Sequence, residues 1–222
     1  MNLFPAQQFD IDSIMKIERQ AFIPQIQEKK KTFEKRLEIF PNGFLILSDA
    51  SEKVVKENRS ALTCGYLCSE IWSSFPSAGD SDDVFMRKFK LGHNIKDTHD
   101  ENGRFLYISS FALLREYQGK GLGARFFENS LAALCGSFRN VEKVVLIVNE
   151  EWKGAIKIYK SLGFEEVRTL KDFFPTLGKT GMMLLFEKKR KSAGIVMASA
   201  AEKFRSIEFK NESQNEFAPI RL

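Results

Sequence analysis

The chain has 222 residues, 43% of them hydrophobic and 28% charged, with a formal net charge of +5 at pH 7. That balance excludes a disordered chain and supplies enough apolar material for one α/β core. Its longest apolar runs, Val144 to Val148 and Met182 to Phe186, are strand-sized, far short of the roughly 20 residues that cross a bilayer, so no membrane association is expected.

In chain order, Met1-Asn2-Leu3-Phe4-Pro5 lacks the basic start and apolar stretch of a secretory signal, so a cytoplasmic protein is expected. Asp10 or Asp12 is placed to cap a first helix running to about Phe22, with Ile11, Ile14, Met15, Glu18 and Phe22 on one stripe. A second helix is predicted over Lys31 to Ile39, with Phe33, Leu37 and Phe40 inward, ending before Pro41-Asn42-Gly43. Phe44 to Leu47 reads as a strand, Ser48 to Ser60 as a polar turn and Ala61 to Trp72 as the hairpin partner. Ser73 to Gly103 shows no firm periodicity and is expected as a long loop of the kind that forms lids.

The pattern then sharpens. A strand is predicted over Arg104 to Leu113, a helix over Leu122 to Cys135, a strand over Lys143 to Val148 and a helix over Trp152 to Leu162. Strands come next at Phe164 to Thr169 and Met182 to Phe186, then a short helix within Gly194 to Phe204 and a tail. This order argues for a mixed α/β sheet with helices on both faces. A main domain over residues 1–190 is expected, with an extension of unknown role over 191–222.

Cys64, Cys68 and Cys135 read as small buried side chains, because neither a bridge nor a zinc site has suitable spacing and only His93 and His99 are available besides. No metal is expected. The basic clusters Lys29 to Lys31 and Lys188 to Lys191 come with no nucleic-acid recognition motif and read as a solvated face, so no nucleic-acid partner is expected.

The chemistry-bearing stretch is Gln118-Gly119-Lys120-Gly121-Leu122-Gly123-Ala124, between a strand and an amphipathic helix. Glycines admit positive φ and close backbone approach, and the helix start adds unpaired N–H donors and a positive dipole end. Such a turn suits a pyrophosphate. A dinucleotide-binding fingerprint fits poorly, because Arg115 to Gln118 separates strand from glycines and no acidic residue ends the next strand near Asn149. The Gly-Lys-Ser/Thr of a triphosphate loop is missing at the required spacing. A tight turn with a purely structural job is the remaining alternative.

The run Leu113-Leu-Arg-Glu-Tyr-Gln-Gly-Lys-Gly-Leu-Gly closely resembles the acetyl-CoA signature of the GNAT N-acetyltransferase superfamily, Gln/Arg-x-x-Gly-x-Gly/Ala. After the next strand, Ala155-Ile-Lys-Ile-Tyr159-Lys-Ser-Leu-Gly163-Phe164 resembles that family's helix ending in Tyr-x-x-x-Gly-Phe. The resemblance covers about residues 8 to 188. It implies a twisted mixed sheet whose two motif strands splay apart around acetyl-CoA. Phe111, Ala112 and Leu113 would pair with the pantetheine arm, and Gln118 to Ala124 would wrap the pyrophosphate. Tyr159 would be the general acid, its alternative being a packing tyrosine.

The nearest flavour is that of arylalkylamine N-acetyltransferases, from Ile17-Glu-Arg-Gln-Ala-Phe-Ile and from His93 with His99-Asp-Glu-Asn-Gly103. Tyr107 and Ser109 stand where that branch carries two strand histidines, and Ile147 stands where peptide N-terminal acetyltransferases favour a glutamate. Glu18 is therefore the remaining candidate base, because it interrupts an otherwise apolar stripe; a helix-end carboxylate that is partly solvated or salt-bridged, with a chain of waters deprotonating the amine, is the alternative. Trp152 replaces a common asparagine and either stacks on the cofactor or packs. Asp172-Phe173-Phe174-Pro175 takes the place of a Tyr-Tyr loop that gates peptides. Phe22, Phe173 and Phe174 are candidates to line an apolar acceptor pocket, core packing being the alternative.

The resemblance implies direct acetyl transfer in a ternary complex to a small primary amine carrying an apolar or aromatic group. A protein α-amino group or lysine is the second acceptor class, and a non-catalytic acyl-CoA-binding module is the third reading. A monomer or homodimer is expected.

Overall fold

The computed structural model describes residues 1–49, 62–175 and 191–207. Its strands are β1 (Asn2–Pro5), β2 (Phe44–Ser48), β3 (Thr63–Trp72), β4 (Phe105–Leu113), β5 (Lys143–Asn149), β6 (Glu165–Pro175) and β7 (Lys191–Ala200). Among the described residues they form one sheet in the order β1-β2-β3-β4-β5-β7-β6. Only β4 and β5 pair in parallel; every other neighbouring pair is antiparallel. The helices are α1 (Ile11–Ala21), α2 (Lys30–Ile39), α3 (Asp82–Lys88), α4 (Leu122–Ser137), α5 (Lys153–Ser161) and α6 (Glu202–Arg205).

Of the predicted stripe on α1, Ile11, Ile14 and Glu18 are buried and Met15 and Phe22 half-buried; Ile17, outside that stripe, is buried too, and α1 packs across β3 and β4. Asp10 does not cap through the helix itself; its carboxylate accepts the N–H of Gln7 at 2.9 Å. On α2, Phe33 and Leu37 face inward as expected, and Arg36 is buried beside them. Strand β3 is buried along its whole length, as befits a strand paired on both edges and covered on both faces. Removing its large side chains from water, at roughly 25 cal/mol per Å² of apolar surface, is the main driving term for this layer.

Three expectations need correction. The 73–103 stretch is no bare loop: α3 lies within it, and Phe85 and Phe89 bury themselves with Trp72 and Tyr107 in a second apolar cluster. Polar Asp, Ser and Gly residues around that short helix hide its two anchoring rings. Residues 191–200, expected in an extension and partly in a helix, form β7 in the interior of the sheet, between β5 and β6. A domain limit at residue 190 would therefore cut the sheet. The burial of Ser192, Gly194 and Val196 alternates with the half-exposure of Ala193 and Ile195, a period of two. Small Ala, Gly and Ser residues blunt that contrast in sequence, and the alanines mimic helix propensity. Strand β1 adds to the expected elements; it is short and carries Pro5, which an edge strand tolerates. The expected strand at Met182 to Phe186 lies outside the described residues, as does the expected turn from Ser48 to Ser60 beyond residue 49.

Candidate active site

Strands β4 and β5 run side by side only from Phe105↔Lys143 to Ile108↔Leu146, after which their pairing ends. Beyond that point β5 continues against β7, from Ile147↔Val196 to Asn149↔Gly194, while β4 continues against β3. The strands part because each follows its other neighbour. Ser109 marks the divergence: Cys68 pairs with Ser110 and Ser69 with Ile108, leaving Ser109 as the extra residue of a bulge. A cavity of about 640 Å³ occupies the gap. Phe111, Ala112 and Leu113 line one wall and Ile147 and Val148 the other.

At one end of the cavity stands the glycine turn. Gly119 and Gly121 have φ of +74° and +77°, and a Cβ at either would meet nothing within 4 Å. Left-handed backbone explains the residue type, and the open space on that side leaves room for a ligand. Helix α4 starts on Gly121, and no side chain caps its first N–H groups. A helix start with no side-chain cap, beside a cavity that Gly121 and Gly123 line, is the arrangement an anion needs. Gln118 steadies the turn by donating its Nε2–H to the carbonyl of Leu113 at 2.9 Å. Gln118, Gly119, Gly121, Gly123 and Ala124 line the cavity, whereas Lys120 stays on the surface and Leu122 packs on the core. These features fit a pyrophosphate-bearing cofactor.

Tyr159 is buried on α5 and lines the cavity, with its ring against Phe127 and Phe164 at centroid distances of 5.0 and 5.9 Å. Burial pushes its phenol well above the ordinary range, so the hydroxyl stays protonated at any working pH. Trp152, just before α5, stands between Phe22 (5.4 Å) and Phe174 (5.5 Å), and all three rings line the cavity. Phe173 does not join them: it turns into the cluster around Trp72, Val145 and Val196. Successive side chains of a strand point to opposite faces, so one of two adjacent phenylalanines had to be lost to the pocket.

The opposite end of the cavity is charged. Glu18 is 1% exposed and lines it. One carboxylate oxygen accepts the N–H of Glu28 at 2.7 Å, and the other accepts the hydroxyl of Tyr66, which in turn lies 2.7 Å from Ser110 Oγ. Burial outweighs those hydrogen bonds and pushes the Glu18 carboxyl up to about 7. Glu18 is thus enclosed and hydrogen-bonded rather than partly solvated. Glu28 also lines the cavity, and its carboxylate pairs with buried Arg36 at 3.3 Å. The two histidines do other work. His93 Nε2 lies 2.5 Å from the buried carboxylate of Glu70, and His99 Nδ1 accepts the N–H of Ile71 at 3.1 Å. Among the described residues no group of three or more His, Cys, Asp or Glu is placed to hold a metal.

Sequence reasoning passes over Glu28, Arg36, Tyr66 and Ser110. One signal is available: Arg36 lies three residues after Phe33 and four before Phe40, so the apolar stripe of α2 carries a charge on its inward face. The other three meet only through tertiary contact.

Residues 89–164, which hold the turn, β4, β5 and Tyr159, match the family model of the acetyltransferase (GNAT) family. The probable N-acetyltransferase san of Drosophila melanogaster is 33% identical over 95 residues, which is 42% of this chain and 50% of that protein. An N-alpha-acetyltransferase of Sulfurisphaera tokodaii is 34% identical over 68 residues, 31% of this chain and 40% of that protein. The chain thus matches half or less of the length of these curated relatives. The crystal structure of Arabidopsis thaliana NAA60 in complex with acetyl-CoA superimposes with a TM-score of 0.58 over 89% of this chain and 97% of that one, at 16% identity. A likeness at that identity speaks for the fold alone.

Proposed function

Because the chain belongs to the GNAT acetyltransferase family, we propose that it is an acetyl-CoA-dependent N-acetyltransferase whose acceptor is the α-amino group of a protein or peptide. One observation carries the reading: the parted strands β4 and β5 place an anion-ready glycine turn at one end of a single cavity and the enclosed Glu18 carboxylate at the other.

The thioester of acetyl-CoA supplies the acetyl group and a thiolate leaving group. The backbone N–H groups at the start of α4 hold the pyrophosphate, and the free edge of β4 beyond Ile108 receives the pantetheine arm. Glu18, when ionised, takes a proton from the incoming ammonium, so that the amine attacks neutral. Tyr159, kept protonated by burial, supplies a hydrogen bond and then a proton to the departing sulfur. Starting from the ammonium, the nitrogen loses two protons: the first passes to Glu18 and on to solvent, and the second, released as the C–N bond forms and the C–S bond breaks, replaces the one that Tyr159 gives the thiolate, so both residues end as they began and no covalent enzyme intermediate forms.

The acceptor class rests on two supports. Relatives that share the matched region carry the name N-alpha-acetyltransferase. The acceptor end of the cavity carries Glu18 and Glu28, while Phe173, one of three rings counted toward an apolar amine pocket, faces elsewhere. Acidic lining suits the ammonium of either acceptor class, so the loss of Phe173 from the pocket and the relatives' names tip the balance toward a peptide. The test is thiol release from acetyl-CoA with two panels, peptides bearing free α-amino groups and small arylalkylamines. Turnover on peptides is expected. Turnover on small amines alone would overturn the acceptor class, and tight CoA binding with no thiol release on either panel would overturn catalysis itself.

A further inference from the structure

Arg36 is 2% exposed, and its guanidinium joins three separate parts of the molecule. One nitrogen donates to the carboxylate of Glu28 in the segment between α1 and α2, at 3.3 Å. Another donates to the hydroxyl of Ser109, the bulged residue at which β4 leaves β5. The same Glu28 oxygen accepts the N–H of Gly92 at 3.3 Å, which brings in the segment before β4, where Leu91 lines the cavity. The main-chain N–H of Glu28 donates to Glu18 at 2.7 Å. A buried guanidinium is costly unless it is paired, and here both ends of the pairing bear on the cavity wall.

We propose that the Arg36–Glu28 pair positions the acceptor end of the cavity: it ties the 22–29 segment to the β4 bulge and holds the Glu18 carboxylate in place. Neither residue needs to touch the reacting atoms. The inference rests on the reading of Glu18 as the base. Glu18 is faced by Tyr66 from β3, with Ser110 of β4 behind it, by Glu28 from the connecting segment and by Arg36 from α2. Of these, the charge of Glu28 resists ionisation of Glu18 and that of Arg36 favours it. The pair therefore acts on Glu18 in two ways, through the hydrogen bond that aims it and through two opposed charges.

The experiment is a set of pH–rate profiles, with acetyl-CoA and the best acceptor peptide, for the intact chain and four variants. Glu18→Gln identifies the acidic limb; if that limb survives in Glu18→Gln, the assignment of the base falls, whatever the Arg36 and Glu28 variants do. Glu28→Gln keeps an acceptor oxygen and removes a charge, so the limb should move to lower pH by roughly half a unit with little change in acceptor KM. Arg36→Met should move it to higher pH and raise acceptor KM about tenfold as the 22–29 segment loosens, while the KM for acetyl-CoA stays within about twofold. Arg36→Lys should restore the limb's position by restoring the charge. Opposite shifts support the proposal. A limb that belongs to Glu18 yet stays put in both Glu28→Gln and Arg36→Met, with acceptor KM unchanged, would overturn it and leave the pair a packing feature. Should Arg36→Met fail to bind acetyl-CoA by calorimetry, Glu28→Gln decides alone: a downward shift supports the proposal and an unmoved limb overturns it.

Discussion

At its glycine-turn end the cavity is walled by one stretch of chain, from Phe111 to Ala124, together with residues of α5 that include Ala155, Ile158 and Tyr159. At its far end the wall is made of side chains from α1, the 22–29 segment and β4, braced by Tyr66 of β3 and Arg36 of α2. Backbone donors at a helix start recognise any well-placed phosphate, so that end tolerates variation in most of its side chains. Buried carboxylates and a buried guanidinium depend on each partner, because losing one strands the others in low dielectric. A common cofactor can thus be served by a local motif, while the acceptor end is assembled from distant positions that are free to differ.

Substitutions at the two ends should break this contrast in different ways. The largest effect is expected from Glu18→Gln, which removes the base and should slow turnover on the order of 10³-fold at neutral pH, with acetyl-CoA affinity unchanged by calorimetry. In the intact chain, turnover should rise with pH through about 7, since only ionised Glu18 accepts a proton. Next in size is the cost of that raised carboxyl to folding. Between its unfolded value of 4.5 and about 7 the folded chain holds a proton that the unfolded chain has released. Stability should therefore fall as pH rises across this window, by up to about 3 kcal/mol. Denaturant titrations at pH 5 and pH 8 would show that slope, and Glu18→Gln should flatten it.

At the other end, Tyr159→Phe should slow turnover by about 10²-fold while sparing cofactor binding; a fully active variant would move the acid role to another residue. Gly121→Val should weaken acetyl-CoA binding about tenfold, because a branched side chain resists a φ of +77° and enters the space the phosphate needs. Unchanged affinity there would remove the pyrophosphate from the turn.

The same contrast explains what is legible in the sequence. The glycine turn, β4, α4, β5 and the Tyr159 helix lie within some sixty consecutive residues, and their periodicities and turn residues are local, so sequence marks them directly. Glu18 is visible because it interrupts an apolar stripe, yet its enclosure is not, since that depends on Tyr66 and the N–H of Glu28 arriving from elsewhere. Arg36 is hidden among the many charges of α2. Phe173 and Phe174 are indistinguishable as a pair, and only a register shift in β6 between Leu170 and Phe174 decides which faces the cavity. Strand β7 escapes because its alternation is written in alanine, serine and glycine, whose side chains carry little hydropathy contrast.

The position of β7 sets an order on the molecule's own synthesis. Among the described strands β6 has no neighbour but β7, and the edge of β5 that faces away from β4 is covered only by β7. A nascent chain that has emerged only as far as β6 can therefore pair β1 through β5 but must leave the edge of β5 bare, with Val144, Val145 and Leu146 beside it. Such an edge is a template for wrong partners. The wall that holds β5 apart from β4 is completed only when Ala200 has cleared the ribosome, so the cavity is among the last features of the molecule to form and the interval before it the most exposed to aggregation.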